Sequence, residues 1–189
     1  MTLSVTAALT AFIERYMREM QQKRKSLPRQ EYDPAWPSCC QLGEPDTSGM
    51  ITWRPVKRDQ PADFSGLEYA FETTLHEDIK HYYGSFWSDG LAADCKEGEV
   101  NLILIWNEDD FQRLIGNIIG HALAKRRAKQ PLTVFFACTE ADSELFLSID
   151  NTSGKVLLEQ PGIPPLREVA PSLSHFIARL RPAVERMTV

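Results

Sequence analysis

One segment reads as a helix from cap to stop, and whatever surrounds it must be arranged to cover it. Asn107 can cap a helix start, Glu108-Asp109-Asp110 fill the first turn, and Lys125-Arg126-Arg127 fill the last. Carboxylates at the positive end of a helix dipole and cations at the negative end both favour the helical state. Pro131 stops it. Between these limits Phe111, Leu114, Ile115, Ile118, Ile119, Ala122 and Leu123 recur at helical spacing and form one apolar stripe. A helix Glu108–Ala128 with a single stripe needs a second layer to lie on. The pair Gly116 and Gly120 is expected to let it approach that layer closely.

The second layer is legible as strands. Phe86–Asp94 and Glu99–Trp106 read as two strands joined by the turn Lys96-Glu97-Gly98. Leu132–Cys138, Leu145–Ile149 and Lys155–Glu159 follow the helix, and Asp150–Gly154 is a hairpin signal with Gly154 at a left-handed position. Residues 50–56 read as a further strand with Pro55 near its end. Helical spacing recurs in Leu9, Phe12, Ile13, Tyr16, Met17 and Met20, starting near Ser4 or Thr6 and ending near Lys23-Arg24-Lys25. The Leu67–Tyr83 region predicts helix, broken near Thr73-Thr74, and a last helix follows Ser172. The stretch Pro28–Ser48 holds four prolines and reads as a long loop pinned by Tyr32, Trp36 and Leu42. This order is no βαβ alternation. It predicts an α+β fold, a mostly antiparallel sheet flanked by helices, in one domain spanning residues 1–189.

Charge separates the partners such a fold can take. Residues 61–120 carry twelve Asp or Glu against three Lys or Arg, while each flank has nine bases and seven acids. The chain's formal charge of −5 therefore arises from its middle third. A concentrated acidic surface suits a basic protein and repels nucleic-acid phosphates. The carboxylates expected to form it are Asp89, Asp94, Glu97, Glu108, Asp109 and Asp110, with Trp106 as an aromatic anchor beside them. Glu140, Asp142 and Glu144 make a second, smaller cluster. Lys125-Arg126-Arg127 and Lys129 are expected to complement the helix dipole. The apolar runs Leu102–Trp106 and Val134–Cys138 are far shorter than the roughly 18 residues a membrane helix requires. The start, Met1-Thr-Leu-Ser-Val-Thr6, has no positive leader before an apolar stretch, so no signal peptide is expected.

Catalytic and metal-binding patterns are not expected. His76 and His81 are five residues apart, and a helical metal pair needs i and i+4 on one face. There is no G-x-S-x-G, no phosphate-binding loop and no dinucleotide fingerprint. Cys39, Cys40, Cys95 and Cys138 show no C-x-x-C spacing and read as free thiols. Paired carboxylates alone are weak grounds for a small hydrolase.

Several pieces, taken in order, resemble one known family. Trp106-Asn-Glu-Asp-Asp-Phe-Gln-Arg113, Asn117-Ile-Ile-Gly-His121, Arg15-Tyr16, Ser38-Cys39-Cys40 and Ser153-Gly154-Lys155-Val156 together resemble the Syd family of bacterial SecY-interacting proteins. The resemblance implies a SUKH-like fold without catalytic activity or cofactor. It implies a partner, SecY, whose basic cytosolic loops dock on an acidic concave surface. It also implies a peripheral position on the cytoplasmic side of the inner membrane, held there by SecY, where the protein regulates, sequesters or proof-checks the channel. An immunity protein that neutralises a toxin would share the fold and differ in its partner.

Overall fold

The computed structural model describes residues 3–186. Met1, Thr2 and residues 187–189 lie outside them.

Helix α1, Val5–Glu19, begins where Ser4 Oγ accepts a hydrogen bond from Ala7 N, and a π-helical turn, Met20–Arg24, finishes it. Lys25 ends that turn in the left-handed region. The proline-rich stretch contains two short strands, β1 (Arg29–Glu31) and β2 (Gln41–Leu42), on either side of β3 (Met50–Trp53). It is thus partly ordered by pairing. Tyr32 is exposed and pins nothing, whereas Trp36 packs against the core. Strand β3 stops before Pro55, which has no N–H to donate, and β4 (Val56–Lys57) pairs elsewhere.

The ambiguous helical region is two helices, α2 (Ser65–Phe71) and α3 (Glu77–Ser85). The break falls at Thr73-Thr74, where Glu72 turns left-handed and His76 starts the next helix by accepting from Asp78 N. His76 therefore works as a cap. The expected strand Phe86–Asp94 is two strands, β5 (Phe86–Trp87) and β6 (Leu91–Cys95), parted by Ser88-Asp89-Gly90. Strand β7 is Gly98–Leu102. The expected run to Trp106 leaves the ladder at Ile103, and Ile105 instead bridges Trp87 in parallel.

Helix α4 spans Glu108–Arg127, and β8 (Thr133–Cys138), β9 (Phe146–Asp150) and β10 (Val156–Glu159) follow. Sequence periodicity missed β11 (Arg167–Ala170) because prolines precede it. It also missed β12 (Arg181–Pro182), which follows α5 (Leu173–Arg179) and is too short to show a pattern.

One antiparallel sheet of seven strands, ordered β11-β10-β9-β8-β7-β6-β12, organises the molecule. Partners across a ladder share a face. The pairs Leu91↔Leu102, Ala93↔Val100 and Val134↔Ile149 put buried residues on one face, under α1, α3 and α5. Phe136, the extra residue of a bulge in β8, packs on that side against Tyr82 of α3 and Phe176 of α5. The opposite face carries Thr133, Phe135, Phe146, Ser148 and Glu159, and α4 lies on it. There His121 meets Thr133 at 2.9 Å and packs edge-on against Phe135 and Phe146. Past α4 this face is open, with Asn101 and Cys138 exposed.

Two expectations for α4 need correction. Gly116 and Gly120 face solvent, and a Cβ at either would meet nothing within 4 Å, so they do not serve close packing. Lys125 is buried at 6 % exposure rather than lying on the surface as a dipole partner. It pairs with Glu159, which is 0 % exposed and also bonded to Ser148 Oγ.

Candidate partner-binding site

The start of α4 is assembled from two distant stretches of chain. Asn107 Oδ1 accepts from Asp110 N at 2.9 Å, and Asn107 Nδ2 donates to Pro37 O at 2.8 Å. Trp106 Nε1 donates to Trp36 O at 3.0 Å, and Ser38 Oγ donates to Trp106 O at 2.6 Å. The segment Trp36–Ser38 is thereby bolted to the helix start.

Trp106 is only 4 % exposed and stands edge-on to Trp53, with ring centroids 5.7 Å apart. Its role as an exposed anchor is therefore withdrawn: the ring belongs to the core. Asp110 is likewise internal, at 8 % exposure. Its Oδ2 accepts from Trp106 N at 2.8 Å and its Oδ1 from Arg113 at 2.6 Å. Asn107 and Asp110 thus satisfy donors at the helix start in the manner of a capping box. Both Asp110 oxygens are engaged inside the protein, and its burial keeps it from a partner.

Glu108 and Asp109 do face solvent, and neither forms a salt bridge among the described residues. Glu108 accepts only from Gln112 Nε2, at 3.1 Å. Its carboxylate borders an open hollow of about 460 Å³ shared with Arg58, Asp59, Asp63, Trp87 and Phe111. Asp63 Oδ1 accepts from Ser65 N at 2.9 Å just before α2, and its hydrogen bonds with Ser65 hold its carboxyl below the usual range. The Arg58 guanidinium lies 3.7 Å from the Trp87 ring centroid, and its Nη1 is buried without a hydrogen-bond partner. Burial lowers the Arg58 pKa, and the charge of Glu108 opposes that shift. Three carboxylates thus share the hollow with the Trp87 and Phe111 rings, and Arg58, stacked on Trp87, is the one cation among the lining residues.

Asp89 stands near Asp110, and its Oδ1 accepts from Gly90 N at 2.7 Å. Though open to solvent on one side, it sits against a crowded wall. Desolvation pushes its pKa up, the Gly90 amide opposes this, and the nearby Asp110 charge adds to the rise. Asp94 and Glu99 oppose each other on the open sheet face, and Arg186 answers both: it bonds Asp94 and lies 3.6 Å from Glu99. Glu97 is farther along, in the β6–β7 turn, 3.5 Å from Lys96. Burial works to raise its pKa, but its bond with Cys95 and the charge of Lys96 hold it low. Strand β6 lies between Asp89 and Glu97 and, at about 3.3 Å per residue, alone spans about 13 Å.

The seven expected residues therefore divide. Glu108, Asp109 and Asp89 present charge near the α4 start, Asp94 is neutralised, Glu97 borders a different hollow, and Trp106 and Asp110 are internal. Sequence reasoning missed Arg58 and Asp59, which lie outside the acidic third, and Asp63 was counted in that third without a role. The signal for Asp63 was present: an Asp two residues before Ser65 at a helix start.

These features define a class, an α+β protein with helices on both faces of a curled antiparallel sheet and an acidic rim at one helix start. Residues 6–182 match the family model described as "Syd protein (SUKH-2)". The "Protein Syd" of Pseudoalteromonas atlantica is 39 % identical over 184 residues, covering 96 % of this chain and 98 % of that protein. Those of Colwellia psychrerythraea and Shewanella baltica are each 38 % identical, over 186 and 184 residues, covering 94 % and 96 % of this chain and 92 % and 84 % of theirs. The chain belongs to the Syd family. No helix among its described residues is long and apolar enough to cross a membrane.

Proposed function

We propose that this protein is a non-catalytic SecY-binding protein whose acidic surface receives the channel's basic cytosolic loops. Residues 1–189 would act as one Syd-like domain, held peripherally at the cytoplasmic side of the inner membrane by that contact. The observation that carries the reading is the hollow at the α4 start, where Asp59, Asp63 and Glu108 converge without a salt-bridge partner among the described residues. Family membership supports the choice of SecY over other basic proteins.

Exposed ion pairs are worth only about 0–1 kcal/mol each, so several must act together and the binding must be salt-sensitive. The test is a pull-down from solubilised inner membranes at low and high salt. Recovery of SecY at low salt alone is expected, and reversal of Asp59, Glu108 and Asp109 to Lys should abolish it. Asp110 is left intact in that variant because it holds the helix start. Recovery of a soluble basic protein in place of SecY would favour the immunity function.

A further inference from the structure

A second hollow opens at the far end of the seven-stranded sheet, on the face away from α4. It encloses about 130 Å³ and is walled by Leu147, Leu158, Val169 and Phe176, with the Cys95 thiol at its side. Leu147 and Phe176 are buried, while Cys95, Leu158 and Val169 are half-buried, so the apolar floor is reachable from solvent. For scale, an apolar cavity of roughly 150 Å³ accepts one benzene. The space suits a single bulky side chain.

Its rim is charged. Glu97 and Glu140 border it, and Glu140 leans over the β6–β7 turn, its Oε1 3.6 Å from where a Cβ on Gly98 would stand. Glu140, Asp142 and Glu144 on the adjoining loop form no salt bridge among the described residues. Arg167 is the one cation among the lining residues. An apolar floor inside an acidic rim favours a side chain that is apolar itself but has cationic neighbours. The rim is also continuous in sequence with the open sheet face, since Glu97 and Glu99 flank Gly98.

We infer that this hollow is a socket for one Leu, Ile or Phe side chain of a cationic polypeptide segment, gripped while the neighbouring Lys or Arg meets Glu97 and Glu140. The inference rests on the proposed function and adds to it: recognition combines spread charge with one apolar anchor, and the anchor gives the contact its register.

The test uses the full chain and two short Lys/Arg-rich peptides that differ at one position, Leu in one and Ala in the other. Fluorescence anisotropy should show the Leu peptide binding roughly tenfold tighter, the scale of burying one aliphatic side chain. Val169→Trp, which fills the socket, should erase that difference while both peptides keep their salt-sensitive binding. Should it not fold, Ser143→Trp on the exposed loop serves the same purpose. In a Cys39→Ser, Cys138→Ser background, the Leu peptide should slow alkylation of Cys95 several-fold and the Ala peptide should not. Equal, salt-sensitive binding of both peptides would overturn the socket and leave acidic docking standing. Binding by neither would overturn both. Protection of Cys95 that rises with protein concentration without peptide would assign the socket to a second copy of this chain and overturn the inference.

Discussion

Replacing Asp110 with alanine should unfold the protein at a lower urea concentration, and the size of the effect follows from what Asp110 touches. Its Oδ2 satisfies the buried Trp106 N–H and its Oδ1 holds Arg113, at a site 8 % exposed. Leaving a buried donor unpaired costs about 1–3 kcal/mol. Removing a carboxylate from the first turn of a helix costs about 0.3–1 kcal/mol more. The loss is therefore about 1–4 kcal/mol, set against total stabilities of about 5–15 kcal/mol for domains in general. With a urea m-value of about 2–3 kcal/mol/M, the midpoint should fall by about 1 M. Glu108→Ala and Asp109→Ala, which remove exposed charges, should each change stability by under about 0.5 kcal/mol. Circular dichroism during urea titration of the three variants measures all of this. An unchanged midpoint for Asp110→Ala, or an equal fall for Glu108→Ala, would refute the division between structural and surface carboxylates.

Glu159→Gln should cost about 3–5 kcal/mol, because it strands the buried Lys125 ammonium, and thermal unfolding measures it. Desolvation alone would raise the Glu159 pKa, but Lys125, Ser148 and Thr133 hold it below the ordinary value. Its contribution is thus present above the unfolded pKa near 4.5 and should disappear as pH falls through the lower folded value. Asp89 has the opposite sign: burial raises its pKa, so its ionisation costs stability as pH rises from 3.8 through the folded value. Asp89→Asn should therefore raise the urea midpoint at pH 7 and confer no advantage below pH 3.8. Gly116→Ala with Gly120→Ala should stabilise by about 1–2 kcal/mol in all, since both glycines are solvent-facing inside a helix. Gly154→Ala should destabilise by about 1–3 kcal/mol, because Gly154 has φ +71° and its Cβ would meet the His76 ring at 2.6 Å. Differential scanning calorimetry reads both sets.

Much of the fold was legible because its signals are local. The cap at Asn107, the stop at Pro131, the two-helix break at Thr73-Thr74 and the left-handed Gly154 are all decided within a few residues. What escaped was decided by distant partners. Strand β12 exists because Arg181 and Pro182 lie beside Asp94 and Ala93 at the edge of the sheet. Lys125 reads as one of a run of surface cations, and only the fold brings it to Glu159, 34 residues on. The acidic site shows the same limit. Charge counting singled out one third of the chain, but it could not tell that Asp110 faces inward, that Arg186 answers Asp94, or that Asp59 joins Glu108 across a hollow.

The central claim is that free carboxylates at the α4 start bind a cationic segment of SecY, and the dependence of that affinity on salt tests it most directly. Purified SecY in nanodiscs, titrated with this protein at rising ionic strength, should bind progressively more weakly. The Asp59→Lys, Glu108→Lys, Asp109→Lys variant should bind at least about tenfold more weakly at low salt, three exposed charges contributing about 0.5 kcal/mol or more each. An affinity indifferent to salt, or a folded triple variant that binds as tightly as the unaltered protein, would contradict the account.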